Sequence, residues 1–309
     1  MNNTFSDVNN ELDMIITQTL QANSIDPNTF PLENEKLEEY DLSIMKVVSN
    51  ILPYAKSISI EKEQELSSAF HKRHLELWNF PFSLSDTFVE FAFYLVRAIQ
   101  VPADKEHITE FVLSKLIGKA LRTYSEVIVL LKQGFPYGAF ALSRQIFELA
   151  VFISFIRKYG DTVALDFYNE SSADLYKHKE NYEWARKSGC FGDKGHITFN
   201  GIERESGIHH SVDDDKRIFS FLSKFIHASP QTIFREPTME LHEIVVGPTS
   251  HSIDEAHYCS SIFIGVSLLH INNLLPSITL QKRLIFCINW IRRMNEEYKK
   301  VSDSIAKPD

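Results

Sequence analysis

An all-α protein, built as a multi-helix bundle, is what the sequence predicts, and three observations carry the expectation. Apolar residues recur at intervals of three and four along most of the chain, the spacing of one helical face. The 309 residues include only 11 Gly and 11 Pro, too few for the many turns of an all-β sandwich or barrel. Proline, glycine and short polar residues stand where such periodic stretches begin and end.

The elements follow in order. Apolar spacing predicts helices over 7–21 and 36–55, and Ser59 with the acidic turn behind it opens a third that runs to Trp78. Trp78-Asn79-Phe80-Pro81-Phe82 interrupts the pattern, so the boundary between an acidic helical N-terminal region, residues 1–80, and a helical core domain, residues 81–309, falls there. Ser85 is placed to cap a helix over 86–100. A helix over 103–133 starts behind Pro102 and ends at Gly134, and Pro136 starts another that ends at Gly160. Asp161 opens an amphipathic, tyrosine-rich helix that stops near Gly189. Residues 189–212 hold five glycines and read as a loop. Ser211 followed by Asp213, Asp214 and Asp215 is an N-terminal signature for a helix to about Ala228. Residues 230–251 read as irregular, with a short extended piece at 243–246. Ser252 and Glu255 form a capping box for a helix to about Leu275, and a last helix follows over 280–304.

Hydrophobic residues make up 44% and charged residues 24%, values that exclude a wholly disordered chain. The net charge of −9 argues against an electrostatic grip on DNA or on an anionic membrane. Residues 1–70 hold 12 acidic and 4 basic side chains, whereas the rest hold 29 and 28, so the excess charge belongs to the N-terminal layer. Cys190, Cys259 and Cys287 are odd in number and widely spaced, which argues against a disulfide framework or a thiolate zinc site. The start of the chain lacks the basic-then-apolar build of a signal peptide. Its longest apolar stretches, 139–156 and 258–275, are broken by Arg144, Gln145 and Glu148 and by His270, Asn272 and Asn273. The expectation is a cytoplasmic protein with free thiols.

Two pairs of polar residues stand out. Arg144 and Glu148 lie four apart, on one face of a helix that is apolar almost all round, so they require partners: each other, or a polar pocket. Ser223 and His227 repeat the spacing within Phe219-Ser-Phe-Leu-Ser-Lys-Phe-Ile-His227. If the two helices bury these pairs against one another, Arg144, Glu148, Ser223 and His227 form one network. There histidine can move a proton near neutrality and arginine can hold a phosphate or carboxylate. His71 and His74 beside Glu76, and Asp254 with His257, have helical spacing but no third and fourth ligand, so both read as exposed helix faces and no metal or other cofactor is expected. Asp213–Asp215 lacks calcium-loop spacing. No phosphate loop, dinucleotide fingerprint or nucleophile elbow is present. Tyr168, Tyr176, Tyr182 and Trp184 with Lys177, Lys179, Arg186 and Lys187 form a basic-aromatic stretch suited to RNA or, in the plainer reading, to a packed amphipathic helix.

The segment 124–156, with Leu-Leu-Lys-Gln-Gly followed by Ala-x-x-Leu-x-Arg-x-x-x-Glu, resembles a bacterial family of unknown function. Phe221-Leu-Ser-Lys-Phe-Ile-His227 is similar to that family's second signature, an aromatic residue and then Ser-x-x-x-His. The resemblance spans about 105–275. It implies a core like the HEPN bundles found in toxins, RNA-cutting effectors and antiphage systems, with Arg144, Glu148, Ser223 and His227 as the polar centre. RNA-cutting HEPN proteins keep four to six residues between Arg and His. Here Arg217 and His227 have nine between them, and the formal matches, Arg204 to His209 and Arg235 to His242, contain Gly207 and Pro237 and read as non-helical. Three functions are therefore expected. The first is a binding or regulatory module in antiphage defence or a toxin–antitoxin system, and the second a metal-independent endoribonuclease with His227 as acid/base, Arg144 on phosphate and Glu148 orienting it. The third is a sensor of a small anion through Arg144. Candidate partners are a protein or second copy through helical faces, and RNA.

Overall fold

The computed structural model describes residues 41–99, 106–170, 182–192, 196–208 and 248–306, together with positions 18, 21, 101 and 222; side chains are described from residue 68 onward. The described residues are helical, with no strand among them. The elements are α1 (Asp41–Arg97), α2 (Ile108–Lys132), α3 (Pro136–Tyr159), α4 (Asp161–Glu170), a 3-10 turn at Glu183–Ser188, and α5 (Phe199–Ser206). After them come α6 (Ile253–Leu269), a 3-10 turn at Asn272–Leu274, and α7 (Ile278–Ala306). The chain divides into two compact units, Met1–Arg73 and His74–Asp309. In the first, the described structure is the opening of α1. The expected extended piece at 243–246 and the helix announced by Asp213–Asp215 lie outside the described residues.

In the second unit, α2, α3 and α6 pack on one another, α7 packs on α6, and α5 lies on α3. The predicted punctuation between α2 and α3 holds, whereas α2 opens at Ile108 behind His107 and not at Ala103; Pro102 lies outside the described residues. Gly134 takes a φ of 77°, its N–H donates to the Leu131 carbonyl at 3.0 Å, and Phe135 N–H donates to the Leu130 carbonyl at 2.9 Å. That pair of bonds is a Schellman motif, which glycine adopts without a Cβ penalty. Pro136 then stands in the first turn of α3, where its missing N–H costs nothing. By length and mean hydropathy (1.6) α3 matches a membrane span, and 61% of that stretch is buried inside the protein.

Five expectations are corrected. Trp78–Phe82 does not interrupt the helix, because α1 runs through it. Trp78, Pro81 and Phe82 are buried, and the rings of Trp78 and Phe82 lie 5.8 and 5.9 Å from that of Tyr298. Tertiary burial therefore outweighs the local breaker. Ser85 is accordingly no cap: its hydroxyl donates to the Pro81 carbonyl at 3.2 Å. The tyrosine-rich helix is described as far as Glu170 and does not run to Gly189, because Tyr182 is left-handed and Glu183–Ser188 form a 3-10 turn. Trp184 belongs instead to the 3-10 turn, buried edge-to-face against Phe152, Phe155 and Phe167, and is not displayed for stacking on RNA. The glycine-rich loop contains α5, whose cap is Thr198: its side chain accepts from Gly201 N–H at 3.2 Å. Arg204 thus lies on a helix. Finally, Ser252 has a φ of 58° and makes no side-chain cap bond, so the capping box is not formed, and that helix ends at Leu269.

Candidate functional site

α3 carries Arg144 and Glu148 on one side, and Nε of Arg144 donates to Oε1 of Glu148 at 3.1 Å. The pair is not in the core, as the apolar surroundings suggested. Its side chains retain 20% and 36% exposure, while Ser143, Ile146 and Phe147 take the buried face. Ser223 and His227 lie outside the described residues, as do Arg217, His209, Arg235 and His242; Leu222, next to Ser223, is helical and buried.

Sequence reasoning missed a different polar cluster, at the junction of α1, α2, α6 and α7. His257 on α6 is fully buried. Its Nδ1 and the Ser261 hydroxyl both bond Oδ1 of Asn295 on α7, at 2.9 and 3.0 Å. An amide oxygen only accepts, which puts the imidazole proton on Nδ1. Nε2 therefore accepts from the Tyr124 hydroxyl at 2.9 Å, with Ser85 Oγ 3.4 Å away. Tyr298 donates to Ser85 at 3.0 Å, and its ring stacks on the imidazole with centroids 3.8 Å apart.

Burial sets the charge state of these groups. Desolvation pushes the His257 pKa down to about 3, against a weaker upward pull from Asn295. Desolvation also raises the Tyr124 and Tyr298 phenols and lifts the Cys259 and Cys287 thiols to about 12. At neutral pH the cluster is uncharged, each member held in one protonation state and bonded to its neighbours. Such a cluster fixes the register of four helices and has no proton poised for transfer.

His74 repeats the lesson. The Leu131 carbonyl accepts from its Nε2 at 2.8 Å and its Nδ1 accepts from Ser250 at 2.8 Å, so α1, the end of α2 and the segment before α6 are clipped together. Both histidines were expected on exposed faces. The usable signal was spacing: His74, Trp78 and Phe82 lie four apart on one face, and Ile253, His257 and Ser261 do the same. Among the described residues, no three His, Cys, Asp or Glu side chains converge as a metal site would require. The three cysteines are free thiols, with Cys259 and Cys287 buried.

With this geometry in place, comparison with known proteins adds one likeness. Residues 110–208 match a family of unknown function, DUF5677. The matched span, about a third of the chain, runs from the first turn of α2 to just past α5. It includes Arg144 and Glu148 and stops before Ser223, His227 and His257. No curated protein and no solved structure matches the chain. The chain is, on these findings, a helical protein similar over that span to a family without assigned function.

Proposed function

We propose that the protein is a cytoplasmic binding or regulatory module with a HEPN-like core, serving bacterial antiphage defence or a toxin–antitoxin system. In it, Arg144, Glu148, Ser223 and His227 hold helices together rather than cut a bond. The observation that supports this reading is the closure of Arg144 onto Glu148 at 3.1 Å. A guanidinium that already faces a carboxylate offers a phosphate less net charge than a free one. The defence setting rests on the resemblance of the Arg-x-x-x-Glu helix to those bundles. The acidic stretch 1–70, with 12 acidic and 4 basic side chains, gives such a module a charged segment for contact with a protein.

One observation favours a second reading. Arg144 and Glu148 keep 20% and 36% of their side-chain surface exposed, so solvent reaches the pair. An anion held there would make the protein either a small-anion sensor or, with His227 moving the proton, a metal-independent endoribonuclease. Purified wild type, Arg144→Ala and His227→Ala, incubated with RNA in the presence of a chelator and melted in parallel, separate the three. Intact RNA and lower melting temperatures for both variants are expected. Cleavage lost in a stable His227→Ala would establish the nuclease. Inorganic phosphate that raises the melting temperature of wild type but not of Arg144→Ala would establish the sensor.

A further inference from the structure

From the groove between α6 and α7 we infer a docking site for an amphipathic helix of a partner protein, its aliphatic side chains facing the groove and lysines or arginines clustered at one end. The inference deepens the reading of the chain as a binding module and rests on it.

The groove has a volume of about 820 Å³ and is lined by positions 254–266 of α6 and 288–299 of α7. On α6 the lining residues Glu255, Ile262 and Val266 recur at helical intervals, and Leu269 continues the same face by one turn. On α7, Ile278 and Ile285 lie seven apart and in line with Arg292 and Lys299, which line the groove. Leu269, Ile278 and Ile285 are 53%, 70% and 58% exposed, so the groove opens at one end onto aliphatic side chains that solvent reaches. Scattered single apolar residues need no explanation, but a row continuous with a groove does.

The opposite end is acidic. Lys299 is shared between Asp254 at 3.9 Å and Asp303 at 3.1 Å. Arg292 faces Glu296 at 3.4 Å, which also meets Arg293. Glu255, exposed at the rim, has no ion pair among the described residues. Along the lining, Asp254, Glu255 and Glu296 stand against Arg292 and Lys299, an excess of one negative charge. Asn295 stands between the two ends. His257 and Ser261 hold its carbonyl oxygen, so its amide N–H groups are turned away from the cluster, toward the groove it lines.

From Asp254 to Leu269 the α6 wall is about 22 Å long at 1.5 Å per residue, the length of a four-turn helix. An occupant with aliphatic residues at i, i+4, i+7 and i+11 meets the open end. Cations at its other terminus meet Glu255 and Asp254. That polarity along the groove selects a basic-ended helix over an acidic one and fixes its direction.

The test uses the full chain and four fluorescent 16-residue peptides. All carry leucine at those four spacings, with three lysines at the N- or C-terminal end, or three glutamates in their place. Anisotropy titration is expected to show one lysine peptide binding at least tenfold tighter than its glutamate counterpart. Glu255→Lys should remove that preference, and Leu269→Asp with Ile285→Asp should weaken binding at least tenfold. These side chains are exposed, and an unchanged melting temperature checks the fold. Equal binding of all four peptides, no binding below 1 mM, or indifference to the aspartate variants would overturn the inference. So would sedimentation showing a wild-type dimer that Ile285→Asp dissociates, since the face would then belong to a second copy. Failure of peptide binding with RNA intact removes the groove and leaves the module reading standing. RNA cleavage removes the module reading whatever the peptides do.

Discussion

Replacing His257 with alanine removes the hub of the buried cluster, and the structure sets the cost. The Tyr124 hydroxyl loses its acceptor at 2.9 Å, and an unsatisfied buried hydroxyl costs about 1–3 kcal/mol. The ring stacked on Tyr298 at 3.8 Å is lost as well, for about 0.5–1.5 kcal/mol. With the void added, the total is about 3–5 kcal/mol at pH 7. The loss should also depend on pH in a definite sense. Burial holds the folded-state pKa of His257 near 3, below the unfolded value near 6.5, so on acidification the unfolded chain takes the proton first. Wild type therefore has this stability in full above pH 6.5 and loses about 1.4 kcal/mol per pH unit as pH falls toward 3. The alanine variant has no such proton to bind. Its deficit relative to wild type should shrink by about 2 kcal/mol between pH 7 and pH 5. Urea unfolding of both proteins at the two pH values, followed by far-UV circular dichroism, measures it. A deficit below about 1 kcal/mol, or one equal at both pH values, would refute the buried neutral hub.

Other expectations follow from the same structure. Arg144→Ala should cost about 1–2 kcal/mol, between the values for surface and buried pairs, because its partner Glu148 keeps 36% exposure; a loss above 4 kcal/mol in urea unfolding would place the pair in the core. Gly134→Ala should cost about 1–2 kcal/mol, since the residue holds a φ of 77°, and Gly134→Asn should cost less; equal melting temperatures for the two variants would count against the Schellman turn. Below pH 6.5 wild type should lose further stability through His270, which burial and the nearby Arg157 hold near a pKa of 4. NMR titration of its ring should show no protonation at pH 5.5.

Local signals were legible where a helix end is itself local, at the junction of α2 with α3 and at Gly160. Gly134 and Pro136 punctuate α2 and α3 because the backbone conformations they favour are needed within a few residues of where they stand. Arg144 and Glu148 meet because four residues make one helical turn. Pro81 was misleading for the opposite reason: what keeps α1 continuous there is packing on Tyr298, more than 200 residues away. The bonds of His257 reach Ser85 and Tyr124, 172 and 133 residues back, and no spacing rule joins them. The acidic neighbours Asp254 and Glu255 made this histidine look solvated, although one turn of helix turns it inward. Thr198 was legible as a cap, but the glycines on either side concealed the two turns it opens.

The central claim is that the polar residues of this bundle hold it together and do not cleave RNA. Its most direct test is the integrity of total RNA, with growth, in cells overproducing wild type or His227→Ala. Intact RNA and unimpaired growth are expected with wild type. Fragmented RNA and arrested growth with wild type, both abolished in a His227→Ala protein that melts at the wild-type temperature, would contradict it.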